Sequence, residues 1–166
     1  MEIWDAYYAD GTLAHRTLTR GQPIPEGLYH LSCDILVRHT DGDYLLMQRD
    51  TAKPNYGGWW EVTAGGSALL GEDKLSCAMR ELQEETGISH GTFTEIGRSI
   101  IQDTIYHQFL CTTDWDKTAV TLQPGETMDY QWLHEEAFIA FINSDRMIPR
   151  QYERYRDFFT HMGYLR

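Results

Sequence analysis

The sequence has only three cysteines, Cys33, Cys77 and Cys111, odd in number, widely spaced and without a C-x-x-C pair. That excludes a disulfide framework and a cysteine-based zinc site, and leaves them as small apolar fillers of a core. The seven histidines are dispersed, with no H-x-H or H-x3-H pair to clamp zinc. Cations are scarce: 14 Lys and Arg face 25 Asp and Glu, for a net charge of −11. Such a surface repels polyanions and excludes tracking along a nucleic-acid backbone. It leaves room for a small anionic substrate if a cation stands between substrate and protein. Long apolar runs are also missing; none approaches the ~20 residues that a membrane-spanning helix needs. The opening MEIWDAYYAD is acidic and aromatic, lacking the basic and apolar regions of a secretory signal. These features lead to the expectation of a cytoplasmic protein with no membrane partner. No repeat, low-complexity tract or long linker interrupts the 166 residues, which suits a single domain over 1–166.

What is present reads as alternating strands and helices. Asp10-Gly11 separates two β-prone runs, EIWDAYY and TLAHRTLT, and predicts a hairpin within an N-terminal extension, residues 1–27. HLSCDILVRH and YLLMQR, joined across Asp41-Gly42, predict a second hairpin, and Trp59 to Thr63 another strand. Over residues 73–86 the period changes from two to 3.6. Leu75, Ala78, Met79 and Leu82 form the stripe of an amphipathic helix expected to turn inward, and Gly87 stops it. Further strands are expected near 93–101, 104–112 and 130–133. Two helices follow, at 134–142 and 149–162, the second opening on Pro149. Strands before and after one central helix, with helices last, predict an α/β or α+β sandwich.

The central helix carries a liability. Glu81, Glu84 and Glu85 share one face about a third of its circumference wide, with Glu72 nearby. Like charges at these spacings repel by about 0.2–0.5 kcal/mol per exposed pair. They also lie toward the C-terminal half, where the helix dipole disfavours negative charge. An acidic surface face is the common reading of such a run. The alternative is a site for a hard divalent cation, since magnesium takes oxygen ligands and shares its shell with substrate phosphates.

Spacing decides between them. Gly66, Glu72, Arg80, Glu81, Leu82, Glu84, Glu85, Gly87 and Ile88 fit G-x5-E-x7-R-E-U-x-E-E-x-G-U at every specified position, where U is a bulky aliphatic. This is the Nudix box, and the chain resembles the Nudix hydrolases. GDYLLMQR, YGGWWEVTAGG and DYQWLHEEA extend the likeness over most of its length. The resemblance implies a mixed β-sheet sandwiched between helices, with the box, residues 65–88, forming a loop-helix-loop. It implies hydrolysis of a nucleoside-diphosphate-type or related small organic diphosphate with Mg2+ or Mn2+. Glu81, Glu84 and Glu85 would be metal ligands with the main-chain carbonyl of Gly65, and Glu72 and Arg80 a supporting ion pair. Arg80 is the only Lys or Arg between Lys74 and Arg98, so offsetting the acidic face falls to it. A carboxylate must accept the proton of the attacking water, and Glu81 and Glu126 are both candidates.

Substrate contacts are read from residues around the box. Arg49 and Lys53 stand at a strand end in a protein of strong negative charge and are candidate diphosphate clamps. Trp59 and Trp60 adjoin the box; one is expected in the core and the other on a substrate base. Trp4, Tyr7 and Tyr8 in the N-terminal hairpin are further stacking candidates. A homodimer is a possible assembly, as in many relatives. The N-terminal hairpin, LYHLSCDILVRHTDG and the Arg49–Lys53 pair resemble the branch related to isopentenyl-diphosphate isomerase, which makes that isomerase the alternative reading. It requires a cysteine where this chain has Ala64, and histidines where it has Gly66 and Pro23, although His30 matches. The intact box favours hydrolysis over isomerisation. It also weighs against a non-catalytic nucleotide sensor, which would be expected to lose box carboxylates.

Overall fold

A computed structural model describes residues 1–166. Its first element is the expected hairpin, β1 (Ile3–Tyr7) with β2 (Leu13–Thr19), which forms a two-stranded sheet of its own. Gly11 turns it at φ 87°, a conformation open to glycine without a Cβ penalty. Trp4, Ala6, Leu18 and Leu28 bury its inner face.

The main sheet has seven strands. β3 (His30–His39) and β4 (Tyr44–Arg49) have the bounds that the sequence predicts. Their pairing differs from the hairpin expected, because they pair only at Arg38↔Tyr44, beside the turn. Beyond that point they part. β3 pairs with the short β6 (Ala64–Ser67) on one edge and runs parallel to β8 (Thr104–Thr113) on the other. β4 pairs instead with β5 (Trp60–Val62) and β9 (Thr127–Leu133), and β7 (Thr92–Ile101) closes the far edge beside β8.

One side chain accounts for the parting. Thr63, between β5 and β6, is fully buried at φ 38°. Its hydroxyl accepts from Val37 N at 3.0 Å and donates to Leu45 O at 2.7 Å. A threonine hydroxyl thus replaces the strand-to-strand ladder and satisfies backbone groups that burial would otherwise penalise. β6 can lie against β3 because it is built from glycines. A Cβ on Gly65 would stand 2.8 Å from Cys33 O.

Both faces of the sheet are covered. Leu31, Cys33, Ile35 and Val37 of β3 and Leu45 and Met47 of β4 meet Cys77, Ala78 and Leu82 of α1 (Lys74–Thr86). The alternate residues Leu36, Tyr44 and Leu46 meet Phe138 and Phe141 of α2 (Glu135–Ile142) and Tyr155, Phe158 and Phe159 of α3 (Pro149–His161). This is the period-two pattern of strands buried on both sides, and it gives the mixed sheet between helices that the sequence predicts. No helix is long and apolar enough to cross a membrane. All three cysteines are free and buried.

The orientation of α1 differs from expectation. Leu75 and Met79 are 43% and 48% exposed, while Cys77, Ala78, Leu82, Glu85 and Thr86 are buried. The helix is turned so that Glu85, not Leu75, occupies the inward stripe. Apolar periodicity alone assigns the wrong edge of that stripe.

Replacing Thr63 by valine keeps its shape and removes both bridging bonds. Urea denaturation should show a loss of about 1–3 kcal/mol, the usual penalty for a buried polar group left unpaired. A variant as stable as the parent would show that the hydroxyl does not hold the parted strands.

Candidate active site

Local sequence fixes the helix that carries the box. Asp73 caps its start by accepting from Ser76 N, and Gly87 ends it at φ 80° with its N–H on Gln83 O. Turned as described, α1 presents Glu81, Glu84 and Glu85 to a cleft of about 370 Å³. Gly65, Gly66 and Ser67 of β6, Lys53, Glu126 and the hairpin residues Glu2 and Arg20 complete its walls.

Arg80 organises the acids. Its Nε donates to Glu72 Oε2 at 2.7 Å and its Nη2 to Glu72 Oε1 at 2.9 Å, a two-pronged ion pair. Nη1 donates to Glu81 at 2.9 Å and to Glu84 at 3.2 Å, and Nη2 also reaches Ser67 O at 3.0 Å. Burial pushes the Glu72 carboxyl up, but Arg80 and the Leu69 N–H outweigh it and leave a net lowering. For Glu81 the balance is reversed: desolvation outweighs Arg80 and lifts it to about 7. Glu85 is 7% exposed and has no cation within ion-pair distance. Burial raises it well above the ordinary carboxylate range, Glu61, Glu81 and Glu126 raise it further, and the Gly65 amide offsets part of this.

Of the two predicted cations, Lys53 lines the cleft and Arg49 does not, and both are paired with glutamates. Lys53 bonds to Glu126, which brings that carboxylate to the cleft. Arg49 donates to Glu61 Oε2 at 3.0 Å and to Asn55 O at 3.1 Å. Of the two tryptophans, one takes the expected place in the core and neither lines the cleft. Trp60 packs against the α2–α3 core, and Trp59, 39% exposed, makes an edge contact with Tyr56 in a different surface depression. Alternation along β5 sends Glu61 toward the site and Trp60 into the core. Trp4 and Tyr7 are buried, and Tyr8 is half exposed outside the cleft.

Four participants escape the sequence reading. Glu61 is 8% exposed, and desolvation raises its carboxyl despite Arg49. Asp34, in the middle of β3, receives two bonds from Arg154 of α3, at 2.6 and 3.0 Å. Gln151, one turn earlier on α3, donates to Glu61 at 3.2 Å and accepts from Val62 N at 3.0 Å. Asp34 is the signal that was available: an acid inside HLSCDILV must find a buried cation.

These residues fit a divalent cation. The donors are all oxygen, the preference of a hard ion. Glu85 is a buried carboxylate that no protein cation neutralises. A Cβ on Gly66 would fall 2.3 Å from Glu81 Oε1, so glycine keeps this corner open. No three acids converge on one point, since Arg80 bonds to both Glu81 and Glu84.

Comparison with known proteins identifies the family and the fold. The model of the NUDIX domain matches residues 28–158. An uncharacterized Nudix hydrolase of Listeria monocytogenes is 30% identical over 152 residues, covering 90% of this chain and 89% of that protein. The structure of DR0079 from Deinococcus radiodurans is similar with a TM-score of 0.67 at 16% identity, over 85% of this chain and 88% of that one. A bifunctional NMN adenylyltransferase/ADP ribose pyrophosphatase of Francisella tularensis, complexed with AMP and a manganese ion, gives 0.61 at 22% identity. That match covers 85% of this chain and 43% of the other. At these identities the two structures establish likeness of fold.

The raised Glu81 carboxyl has a measurable consequence in metal-free protein. Between the ordinary value of 4.5 and about 7 the folded state keeps a proton that the unfolded chain has released. The stabilisation is complete below the lower value and is lost as pH rises through the upper one. Glu81→Gln should therefore gain on the wild type across that window, by on the order of 2–3 kcal/mol once pH passes 7. A stability difference that stays constant over the range would show that burial does not penalise this carboxylate.

Proposed function

Since the chain belongs to the NUDIX domain family and is a diphosphate hydrolase of that family, we propose that it is magnesium- or manganese-dependent and acts on a small organic diphosphate. The observation that carries this reading is Glu85: buried, without a cationic partner and flanked by Glu61, Glu81 and Glu126. Burying an uncompensated carboxylate among like charges is costly unless a cation joins it. The manganese in the structurally similar Francisella enzyme supports the same ion class.

In this reading Glu81, Glu84, Glu85 and the Gly65 carbonyl hold the metal. When bound, it neutralises the diphosphate, polarises a phosphorus–oxygen bond and lowers the pKa of bound water. The protein's own groups do the remainder. Arg80 keeps the carboxylates apart and oriented through its fixed grip on Glu72. Lys53 and Arg20 stand on the cleft wall, where substrate oxygens can draw them from Glu126 and Glu2. Glu126, released from Lys53 in this way, is then available beside Glu81 to accept the proton of the attacking water. Isomerase chemistry has less support. Ala64 is 5% exposed in β6 and offers no proton to an allylic carbon.

Activity should disappear in excess EDTA and return with magnesium or manganese. Glu85→Gln should lower turnover by roughly a hundredfold or more, while the metal-free variant melts at a higher temperature than the wild type. Turnover near wild type in this variant would remove Glu85 from the proposed metal site. Isopentenyl diphosphate should give no allylic product; its appearance at a substantial rate would reverse the ranking of hydrolase over isomerase.

Glu126→Gln separates the two proton acceptors. If Glu126 serves, kcat falls by roughly 10²–10⁴-fold with metal affinity retained. Unchanged kcat assigns the proton to Glu81.

A further inference from the structure

The hairpin β1–β2 is weakly rooted for an element that forms part of the cleft wall. Trp4, Ala6 and Leu18 bury themselves with Leu28 in a small cluster of their own, and only Tyr7 joins the core beneath α1. Elements with so little shared core lie at the low-stability end of a fold and open before the rest. Tyr7 and its backbone bonds to Tyr29 anchor the middle of β1. The end nearer the cleft, where Ile3 pairs with Thr19, is held to the body by Leu70 N on Ile3 O and Gly71 N on Asp5. Glu2 and Arg20 line the cleft from that end, and Glu2 is fixed from two sides, by Trp4 Nε1 at 2.7 Å and Arg20 Nη1 at 3.1 Å.

The underside of Trp4 rests on His30, the first residue of β3. The two rings stack with centroids 4.1 Å apart and planes 12° from parallel. His30 Nε2 lies 2.7 Å from Thr104 Oγ1, which in turn lies 3.4 Å from Asp103 Oδ1. Nδ1 is buried and has no partner. This arrangement suits a neutral ring: Nε2–H donates to Thr104, and Nδ1 keeps a bare lone pair. A second proton would create an N–H on Nδ1 with no acceptor in reach. The indole face attracts a cation, but an unpaired, buried N–H on a charged ring costs more. Burial disfavours the imidazolium and outweighs Asp103, on the turn before β8, and Glu2 of the hairpin, which favour it; Arg20 also opposes it. Nδ1 gains a water partner only when Trp4 lifts away.

We propose that the Trp4–His30 stack is a proton-operated latch: neutral His30 holds the open end of the hairpin against the body, and protonation releases that end and withdraws Glu2 and Arg20 from the cleft. The loop 21–27 suits a hinge, since Gly21 and Gly27 bracket it at φ 86° and 81°. The docked state binds fewer protons than the open one. Docking is therefore complete above the ordinary histidine value of 6.5 and weakens as pH falls below it. The latch acts on the wall itself and requires no particular substrate.

The amides of Leu70 and Gly71 report on the latch, because they belong to the body and donate to the hairpin. The test is NMR-detected hydrogen exchange of the full metal-free chain between about pH 5.5 and 7.5, a window above the ordinary carboxylate range, corrected for intrinsic exchange. Protection of Leu70 and Gly71 should fall about tenfold per pH unit below 6.5, while the amides of β8 keep theirs. In His30→Phe, which retains a ring beneath Trp4 but takes no proton, protection of both should be independent of pH. Glu81, lifted to about 7 and close to Glu2, titrates in the same window, but it does so in both proteins. A flat profile in the wild type, or the same slope in His30→Phe, would overturn the latch. Titration of the His30 ring by NMR decides the matter even if phenylalanine fails to seat under Trp4. The wild-type ring should titrate below 6.5 and return toward it in Trp4→Leu. A ring that titrates at the same pH in both proteins would overturn the proposal.

Discussion

The grip of Arg80 on Glu72 is the interaction on which the site depends. Two bonds to one carboxylate lock the guanidinium plane, and a locked plane can serve several other acceptors at fixed distances. Glu81, Glu84 and the Ser67 carbonyl are those acceptors. One side chain thereby ties the loop before α1, the middle of α1 and the end of β6 into a unit. Lysine, a point charge on a flexible stem, has no second prong with which to do this.

That unit explains why a helix with a repulsive face is stable in its position. α1 gains little from apolar burial on one side, where Leu75 and Met79 meet solvent. It is held instead by Cys77, Ala78 and Leu82 beneath and by Arg80 above. The orientation is then set jointly by a small apolar stripe and an ion-pair network, and neither would choose it alone.

Legibility in the sequence divides along the same line. Strand and helix bounds were readable because they follow from local features: β-branched and aliphatic density in HLSCDILVRH, the change of period at 73, the stop at Gly87, the proline at 149. The box was readable because its chemistry is compressed into one helical segment. The parting of β3 from β4 was not, since it depends on the hydroxyl of Thr63 reaching both strands from elsewhere in the chain. The contribution of α3 was not either. Arg154 and Asp34 lie 120 positions apart, and nothing near Arg154 distinguishes it from the other arginines of a surface helix. Of the two tryptophans, Trp60 took the expected core position, while Trp59 precedes β5 and lies in another surface depression, which adjacency to the box in sequence does not reveal.

The N-terminal hairpin bears on how this molecule comes together. Its inner strand is fastened to distant chain: Tyr7 exchanges two backbone bonds with Tyr29, Ile3 O accepts from Leu70 N, and Asp5 accepts from Gly71 N. Glu2 and Arg20 reach the cleft through these ties. Joining residue 3 to residue 70 closes a long loop, and closing loops is an entropic charge that non-local contacts repay only once they exist. The hairpin turn itself is local and quick to form, but its docking must wait for β6 and the start of α1. The residues of this hairpin are thus among the last to acquire their native neighbours, and the part of the cleft wall that adjoins it is completed late in folding.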